Sequence, residues 1–587
     1  MAVRSTQRLR SRPSETRWWA WSRFVAANAA GLSIILRIGW QEPLISANVL
    51  IGAEVVGLIV YALLLIVPNR LAGRSISSLV RGHLFETVTL CLAAVFFWSP
   101  TMLSLAVGLL VLHQLLEVYL AIVQTEIPTG LLFVGSFVVL IAVGTAGLLL
   151  PAATPTDAPI SVLDAAFTIT SAISQTGLVV RPTGEGFTRF GQVIILIWIQ
   201  VGALGVIVFG ALLAQVIGST FGLRATQTMA ESTEQGWTGQ LSIQRLVVFI
   251  IVLTHVIEAI GALVFFIGWP ENWPGSPWDG DPTHTPLDRL YHAVFFSISS
   301  FCNAGFVTTT NSMQGLRFHW TSHIVIVGLI VFGSIGFPVL DNLRQVFWAR
   351  VRGIVAHKGS LIRLNLNTKI VLSATLAVYV FGYLAIMLGE STQTAEPIGA
   401  VALDAHFMTI NRTSGFDTIA PQDMGLLSRL TLILLMFIGG SPASVAGGIK
   451  MMVFAVLALT VWSTLRGKPR VEAFGRTIPD ELVRKSATLI VMSLVAVMLV
   501  TGVLVATESN GDSPTLGPYL FEATSAFGTT GLSMGITPEL GPAGKVAIMV
   551  AMFFGRVGPL AVMAALFAIG RARRPSYEYP TEEVVIY

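Results

Sequence analysis

Long apolar segments alternate with short polar segments along the whole chain. An apolar helix of about 20 residues is long enough to cross the hydrocarbon core of a membrane. The pattern therefore predicts a chain that crosses a bilayer many times, although the first and third segments are short for a span. The predicted spans are 24–40, 45–67, 84–98, 101–123, 132–150, 192–217, 246–268, 322–340, 370–389, 430–462, 486–506 and 545–570.

Composition indicates the same class of protein. Of the 587 residues, 53% are hydrophobic and 12% are charged, whereas about 25% of the residues in an ordinary soluble domain are charged. So few charges could not cover the surface of a soluble chain, so we expect an all-α polytopic membrane protein. The two cysteines, Cys91 and Cys302, lie in apolar segments, which argues against a disulfide scaffold or a cysteine metal cluster.

Basic residues are concentrated in alternate loops. Segments 341–369 and 466–485 each carry six basic residues, against one and three acidic residues. Loops rich in lysine and arginine stay on the cytoplasmic side. With an even number of spans, both termini are then cytosolic, and the arginine-rich start of the chain is a cytosolic arm rather than a signal peptide.

Four short segments between spans resemble one another. Each contains small or polar residues, then one glycine, then a large apolar residue. A second cluster of small residues follows 24 to 28 residues after each glycine. The segments are SAISQTGLV (171–179), SSFCNAGFV (299–307), INRTSGFDT (410–418) and SAFGTTGLS (525–533). The repeating unit is thus a span, a short helix, a glycine loop and a second span.

This unit divides the chain into an N-terminal extension and four repeats. The extension contributes two to four additional spans ahead of the repeats. We expect a cytosolic basic arm (1–23), the extension (24–128), pore repeats at 129–219, 240–341, 365–464 and 480–572, and a cytosolic tail (573–587).

Four such units can close in a pseudo-fourfold arrangement around one pore. Non-helical backbone at membrane depth must be buried in protein or line a water-filled path. Glycine adopts positive φ at little cost, and a ring of carbonyl oxygens can replace the water shell of a monovalent cation. Any one loop alone is explained as well by close helix packing or a simple turn. The four matched copies favour the ring.

These motifs resemble those of the Trk, Ktr and HKT superfamily of potassium transporters, and most closely the membrane subunit of Ktr-type systems. The resemblance rests on SAFGTTGLSMGITPEL (525–540), NRTSGFDTI (411–419), CNAGF (302–306), GGIK (447–450) and GRVGPL (555–560). It covers residues from about 130 to the end of the chain. The region 1–128 has no counterpart in the eight-span core that the resemblance implies.

The resemblance implies a potassium filter made of each glycine with the two residues before it and the one after it. Gln175 stands where a small hydroxyl residue is usual. Sodium-selective relatives often carry serine at the first glycine, and this chain keeps glycine in all four repeats, which favours potassium. The implied filter residues are Gln175, Thr176, Gly177, Leu178, Asn303, Ala304, Gly305, Phe306, Thr413, Ser414, Gly415, Phe416, Thr529, Thr530, Gly531 and Leu532.

A glycine-rich stretch interrupts the predicted span 430–462. So many glycines and a proline cannot hold a rigid helix, and the resemblance implies an intramembrane gate loop that acts with an arginine of the fourth repeat. A packing kink is the alternative for the loop, and a side chain reaching the membrane surface is the alternative for the arginine. The implied gate residues are Gly439, Gly440, Ser441, Gly447, Gly448, Lys450 and Arg556.

The sequence thus favours potassium uptake across the plasma membrane. The resemblance implies a homodimer and a separate cytosolic nucleotide-binding subunit of the RCK/KTN type, since this chain has no nucleotide motif of its own. We expect that subunit on the basic loops, and we expect no covalent cofactor, no enzymatic activity and no nucleic-acid partner. The alternatives are a relative that also passes sodium, and an ion-coupled transporter of another solute. A membrane enzyme is disfavoured because His113, His255 with Glu258, and His406 do not converge by spacing.

Overall fold

The fold is known from a computed structural model. It describes residues 17–40, 45–71, 73, 75, 78, 80, 83–123, 129–220, 243–270, 273, 285–351, 363–393, 396–508 and 516–558. The predicted tail and the first 16 residues of the predicted basic arm lie outside these parts.

The described parts are helical apart from their loops and one short hairpin. The helices are α1 (Arg17–Ile38), α2 (Ala47–Leu71), α3 (Leu84–Val95), α4 (Pro100–Val123), α5 (Thr129–Leu148), α6 (Val162–Ser174), α7 (Thr183–Gly186), α8 (Arg189–Thr220), α9 (Ile243–Ile267), α10 (Pro286–Phe301), α11 (Trp320–Ile335), α12 (Phe337–Val351), α13 (Leu366–Ser391), α14 (Ile398–Asn411), α15 (Leu426–Phe437), α16 (Met451–Leu465), α17 (Asp480–Glu508), α18 (Leu516–Gly528) and α19 (Pro542–Val557). Strands β1 (Glu472–Ala473) and β2 (Arg476–Thr477) pair in antiparallel fashion.

Every predicted span falls at least in part on one of these helices, with two breaks, and residues 559–570 of the last predicted span lie outside the described parts. The span predicted at 322–340 is bent by 99° between α11 and α12, and Gly336 at the bend has a φ of 90°. The span predicted at 430–462 is divided into α15 and α16. Among the described residues, four helices are long and apolar enough to cross a membrane by themselves, namely α2, α9, α13 and α17, and the bent pair adds a fifth candidate. The all-α polytopic fold is confirmed.

The chain forms two compact units. The first comprises residues 1–127 and 150–159, and the second comprises 128–149 and 160–587. Helices α1 to α4 of the first unit share an apolar core that includes Leu58, Tyr61 and Leu110. This unit is therefore packed around a core of its own.

Buried charged residues of the extension have partners within it. Arg37 forms an ion pair with Glu54 at 3.2 Å. Glu86 instead lies 3.1 Å from His83 and 4.0 Å from His113. Glu54 thus has an arginine partner, whereas Glu86 has histidine partners.

The second unit contains the four repeats. Each has a first span (α5, α9, α13, α17), a short helix (α6, α10, α14, α18) and a second span (α8, α11, α15 with α16, α19). Side chains cap two of the short helices, since Ser161 accepts the N–H of Asp164, and Thr285 and Asp288 form a capping box. In the first and second repeats the sequence therefore sets where the short helix begins.

The second small-residue cluster serves close packing in three repeats. A Cβ atom on its first glycine would overlap the main-chain oxygen at the end of the short helix of the same repeat. Only glycine allows the second span to approach so closely. The pairs are Gly202 with Ile173, Gly333 with Phe301 and Gly555 with Phe527.

Candidate ion pathway

The four glycine loops contact one another in cyclic order. A Cβ atom added to Gly177 would lie 2.6 Å from the main-chain oxygen of Ala304 in the second repeat. The remaining loops contact their neighbours even more closely: Gly305 approaches Ser414, Gly415 approaches Thr530, and Gly531 approaches Thr176. The series of contacts closes on itself, as four repeats around one axis require.

All four glycines adopt the left-handed backbone region, with φ values of 88°, 70°, 78° and 95° in chain order. Both this conformation and the crowding by the next repeat exclude a side chain. The large residue after each glycine is buried, with no more than 1% of its surface exposed (Leu178, Phe306, Phe416 and Leu532). The sixteen predicted filter residues are thus brought together, all buried or half-buried.

Three of the loops turn back onto their short helices in the same way. The N–H of the residue before each glycine donates to a carbonyl five residues earlier, at 2.8 to 2.9 Å. These bonds direct three loop N–H groups back toward the short helices. The three bonds run from Thr176 to Ser171, from Ala304 to Ser299 and from Thr530 to Ser525.

The third loop differs from the others. Gln175, Asn303 and Thr529 have φ values of 59°, 55° and 49°, but their counterpart Thr413 does not have a positive φ. The preceding residue, Arg412, is buried and its guanidinium donates to the carbonyls of α15 and of the residue just after it, Leu435 (3.0 Å) and Ile438. The third loop is therefore attached to the end of its own interrupted span.

Residues 438–450, which we call the interrupting loop, separate α15 from α16. The two ends of the loop hold each other, because the N–H of Gly439 donates to Ile449 at 2.8 Å and the N–H of Met451 donates to Gly440 at 2.8 Å. A Cβ atom on Gly447 would overlap the side chain of Thr529. The interrupting loop therefore lies directly against the fourth glycine loop.

Main-chain bonds fasten the interrupting loop to two other repeats. N–H groups of the loop donate to carbonyls just before the bend of the second repeat and in the last turn of α19 of the fourth repeat, at 3.0 to 3.3 Å. A packing kink would make contacts within one helix, whereas this loop forms bonds to several repeats. The bonds run from Ser441 to Ser334, from Val445 to Gly333 and from Gly448 to Gly555.

Arg556 lies in the last turn of α19 and is 4% exposed. Its guanidinium donates to the carbonyl of Val445 in the interrupting loop, and to the carbonyl of Gly202 in the first repeat at 3.2 Å. Lys450 donates to Ala446 within the loop at 2.6 Å. Arg556 therefore connects three repeats and is not extended toward a surface.

Two buried polar residues of this region were missed by the sequence analysis as pathway residues. Arg412 precedes the third loop, and Glu258 of α9 accepts a hydrogen bond from Gln200 at 3.1 Å and lies 3.7 Å from the thiol of Cys302. The sequence did offer a signal for both residues, because a charged residue inside a predicted span or beside a glycine loop is costly there and often functional. His255 is exposed, and within the described residues no three His, Cys, Asp or Glu side chains are grouped as metal ligands.

Ion pairs join neighbouring repeats near the start of the short helices. In each pair, a base at the beginning of one repeat's second span meets an acid of the next repeat's short helix. Such pairs set the order of the repeats around the axis. They are Arg189 with Asp288, Arg317 with Asp404 (2.8 Å from Nε) and Lys545 with Asp164 (2.7 Å).

Comparison with known proteins gives consistent matches. The family described as "TrkH: Cation transport protein" matches residues 102–570, a match that begins ahead of the start near residue 130 expected from the motifs. The Ktr system potassium uptake protein B of Bacillus subtilis is 33% identical over 468 residues, or 78% of this chain and 96% of that protein. Its namesake in Vibrio alginolyticus is 33% identical over 450 residues, covering 75% and 92%.

Two further proteins are similar to this chain. The potassium/sodium uptake protein NtpJ of Enterococcus hirae is 30% identical over 469 residues, covering 78% of this chain and 97% of that protein. The crystal structure of the potassium transporter TrkH from Vibrio parahaemolyticus matches with a TM-score of 0.57 over 94% of this chain and 99% of that one. At 17% sequence identity, the structural match supports the fold alone.

Proposed function

Because the chain belongs to the TrkH family of cation transport proteins, we propose that it takes up potassium across the plasma membrane through a pore lined by the four glycine loops. As a member of this family the chain is a membrane transporter and not an enzyme. The observation that carries the proposal is the closed cycle of contacts among Gly177, Gly305, Gly415 and Gly531. A ring of main-chain oxygens at this position would replace the water shell of one potassium ion.

Inward movement is driven by the membrane potential, which supplies about 2.3 kcal/mol per elementary charge per 100 mV. The interrupting loop acts as the gate, because it lies against the fourth glycine loop and is fastened by backbone bonds and by Arg556. When those bonds break, the loop moves and the path toward the cytosol opens.

A cytosolic regulatory subunit and a second copy of the chain complete the proposed assembly. The basic segments 341–369 and 466–485 present positive charge on the side proposed to be cytosolic. Two relatives are named as proteins of a "Ktr system", which supports a multicomponent arrangement. Purification of the native complex under mild detergent tests this part, and recovery of transporter chains alone at every step would contradict it.

The decisive experiment is growth of a potassium-uptake-deficient bacterium at low potassium, with rubidium influx measured alongside. We expect growth and influx only in cells that express the chain. The Enterococcus hirae relative is named a potassium/sodium uptake protein, which favours sodium permeation as a second candidate function. Influx of sodium at a rate similar to that of rubidium would support the second candidate and reject potassium selectivity.

An ion-coupled transporter of an organic solute is the remaining alternative. Such transporters usually have two inverted halves around a midplane site, whereas this chain has four units in one cyclic order. Saturable uptake of a labelled solute without any rubidium flux would reject the potassium proposal.

A further inference from the structure

A cavity of about 440 Å³ opens between the second and third repeats. Its walls are mostly apolar side chains of α11 and α13, such as Ile330, Leu372 and Leu376. Leu376 is 62% exposed on α13, a helix long and apolar enough to cross a membrane, so the cavity reaches an apolar outer face of that helix. The volume is in the range of sites for small ligands, and entry through this surface suits a molecule dissolved in the bilayer.

The inner end of the cavity is formed by Arg412 and by the interrupting loop, through Gly440 and Ser441. Arg412 is more than nine-tenths buried. Both of its hydrogen bonds leave from Nη1 and end on main-chain carbonyls, which leaves Nε and Nη2 as donors for another acceptor. Within the described residues, no carboxylate forms an ion pair with this guanidinium.

A buried cation without an anionic partner is costly, and more so within a membrane. The edge of a guanidinium that carries Nε and Nη2 fits a carboxylate in bidentate fashion. An apolar passage that ends at such a group therefore selects a molecule with an anionic head and one apolar chain.

We propose that this cavity binds one single-chain anionic amphiphile, of the class of long-chain fatty acids, with its carboxylate on Arg412 and its chain leaving between α11 and α13. The volume holds one chain rather than the two of a phospholipid. The bound molecule contacts Ser441 and Met451 at the two ends of the interrupting loop, and so restrains that loop in the arrangement seen here.

Photolabelling of the purified full-length chain with a diazirine analogue of palmitate tests the site. We expect adducts on peptides of α11 and α13, removed by excess palmitate but not by hexadecanol, which has the same chain and a neutral head. Equal competition by hexadecanol would overturn the assignment of Arg412 as the head-group site.

Two matched variants locate the site without altering Arg412, whose replacement could disturb folding. Leu376→Trp fills the mouth of the cavity and should lower labelling at least tenfold. Leu384→Trp changes an equally exposed leucine (57%) on the same helix away from the cavity, and should leave labelling unchanged. Labelling that survives Leu376→Trp would overturn the proposal. Labelling confined to monomers would also overturn it, because a second copy of the chain would then cover the cavity in the dimer.

An effect of the amphiphile on ion flux rests on the proposed function, whereas the labelling does not. Rubidium influx should fall when palmitate is added to the unmodified chain and should not fall in the Leu376→Trp variant. Absence of rubidium flux under all conditions with normal labelling would count against the potassium proposal alone. Flux unaffected by palmitate in a chain that is labelled would contradict the restraint of the loop.

Discussion

Each glycine of the ring meets two requirements that only glycine satisfies together. At Gly531 the backbone has a φ of 95°, and any Cβ atom would overlap the main-chain oxygen of Thr176 in the first repeat. A substitution at this position would therefore strain its own loop and displace the neighbouring loop as well. A substitution at one glycine is therefore expected to disturb two adjacent loops of the ring.

The variants Gly531→Ser and Gly305→Ser should lower the preference for potassium over sodium by roughly tenfold, about 1.4 kcal/mol, because a distorted ring no longer fits one dehydrated ion. Rubidium and sodium influx in cells measures the ratio. Gly535→Ser is the matched control, since Gly535 has a φ of 86° but no atom closer than 3.9 Å to an added Cβ. An unchanged ratio in both ring variants would contradict the filter assignment.

Arg556 should hold the interrupting loop closed. Loss of its bonds to Val445 and Gly202 in Arg556→Gln removes two charge-assisted hydrogen bonds, each worth about 1.5–3 kcal/mol. We expect resting rubidium influx to rise about tenfold or more. Arg556→Lys keeps the charge but cannot reach both carbonyls, so it should also leak. A Lys variant with normal influx would show that charge alone is needed.

The sequence predicts the glycines because their residue type and repetition are visible without a structure. Arg412 was not predicted as a pathway residue, since its partners Leu435 and Ile438 come from a helix end that follows more than twenty residues later. Glu258 was noticed only as a possible enzyme residue, because its partner Gln200 lies in another repeat. Polar contacts between residues that are far apart in the chain leave no periodic pattern in the sequence.

At the scale of helices and loops, the ion pair between Arg317 and Glu396 responds to pH. Arg317 pairs with Asp404 and Glu396, and its hydrogen bond holds the pKa of Glu396 below the ordinary value of 4.5. A carboxylate with a lowered pKa stabilises the fold above that ordinary value. The contribution is lost as the pH falls through the pKa of the folded protein.

Arg317→Gln should therefore lower stability at neutral pH by about 3 kcal/mol, mainly because buried Asp404 loses its counter-ion. The variant should also lose less stability than the unmodified chain between about pH 5 and pH 3. Thermal unfolding in detergent measures both effects. Lys468→Gln, which breaks an exposed pair with Glu472, should change stability by less than about 1 kcal/mol. Equal effects of the two variants would contradict this account.

The hairpin β1–β2 lies in basic segment 466–485 and displays an aromatic ring at its tip. Phe474 has a φ of 51°, unusual for a bulky residue, and is 57% exposed. The hairpin is anchored by Val471, Ala473 and Ile478 in an apolar core. A strained, exposed ring on a rigid base is typical of an interaction site.

Phe474→Gly should preserve the turn, because glycine accepts this φ, and should weaken binding of the proposed cytosolic subunit about tenfold, or about 1.4 kcal/mol. Phe474→Trp should restore binding. Co-purification of the two proteins from native membranes measures the binding. Binding by the Gly variant at the normal level would remove the hairpin from the docking surface, and loss of binding by both variants would point to a role in folding.

Apolar length was sufficient to predict where the helices lie, but not how they bend. The segment 322–340 has the hydropathy of an ordinary span, and its 99° bend depends on Gly336 and on a bond from Phe337 to Ala443 of the interrupting loop. The interruption of 430–462 was predicted because many glycines and a proline occur together there. The segment 322–340 has fewer such residues, Gly328, Gly333, Gly336 and Pro338, set within a longer apolar run.

For the molecule as a whole, the division into two units separates the extension from the proposed transport function. All four glycine loops and the interrupting loop belong to the second unit, whereas α1 to α4 have a core of their own. The Bacillus subtilis relative aligns over 96% of its length with only 78% of this chain. This difference in coverage supports the proposal that the extension is an addition to the four repeats, and the family match begins at residue 102, within the extension.

A chain that lacks residues 1–124 should therefore still transport. We expect rubidium influx within about threefold of that of the full chain at equal surface amount, a difference below 1 kcal/mol. The same deletion extended through α5 removes the first span of a repeat and should abolish influx. Complete loss of influx in the shorter deletion, with normal insertion, would show that the extension is part of the transport machinery.

The closure of the ring between Gly531 and Thr176 also bears on how the protein is made. The last repeat to leave the ribosome must return to the first before the cycle is complete. A partly synthesised chain with three repeats lacks this contact, and so would not yet enclose the ion path proposed above.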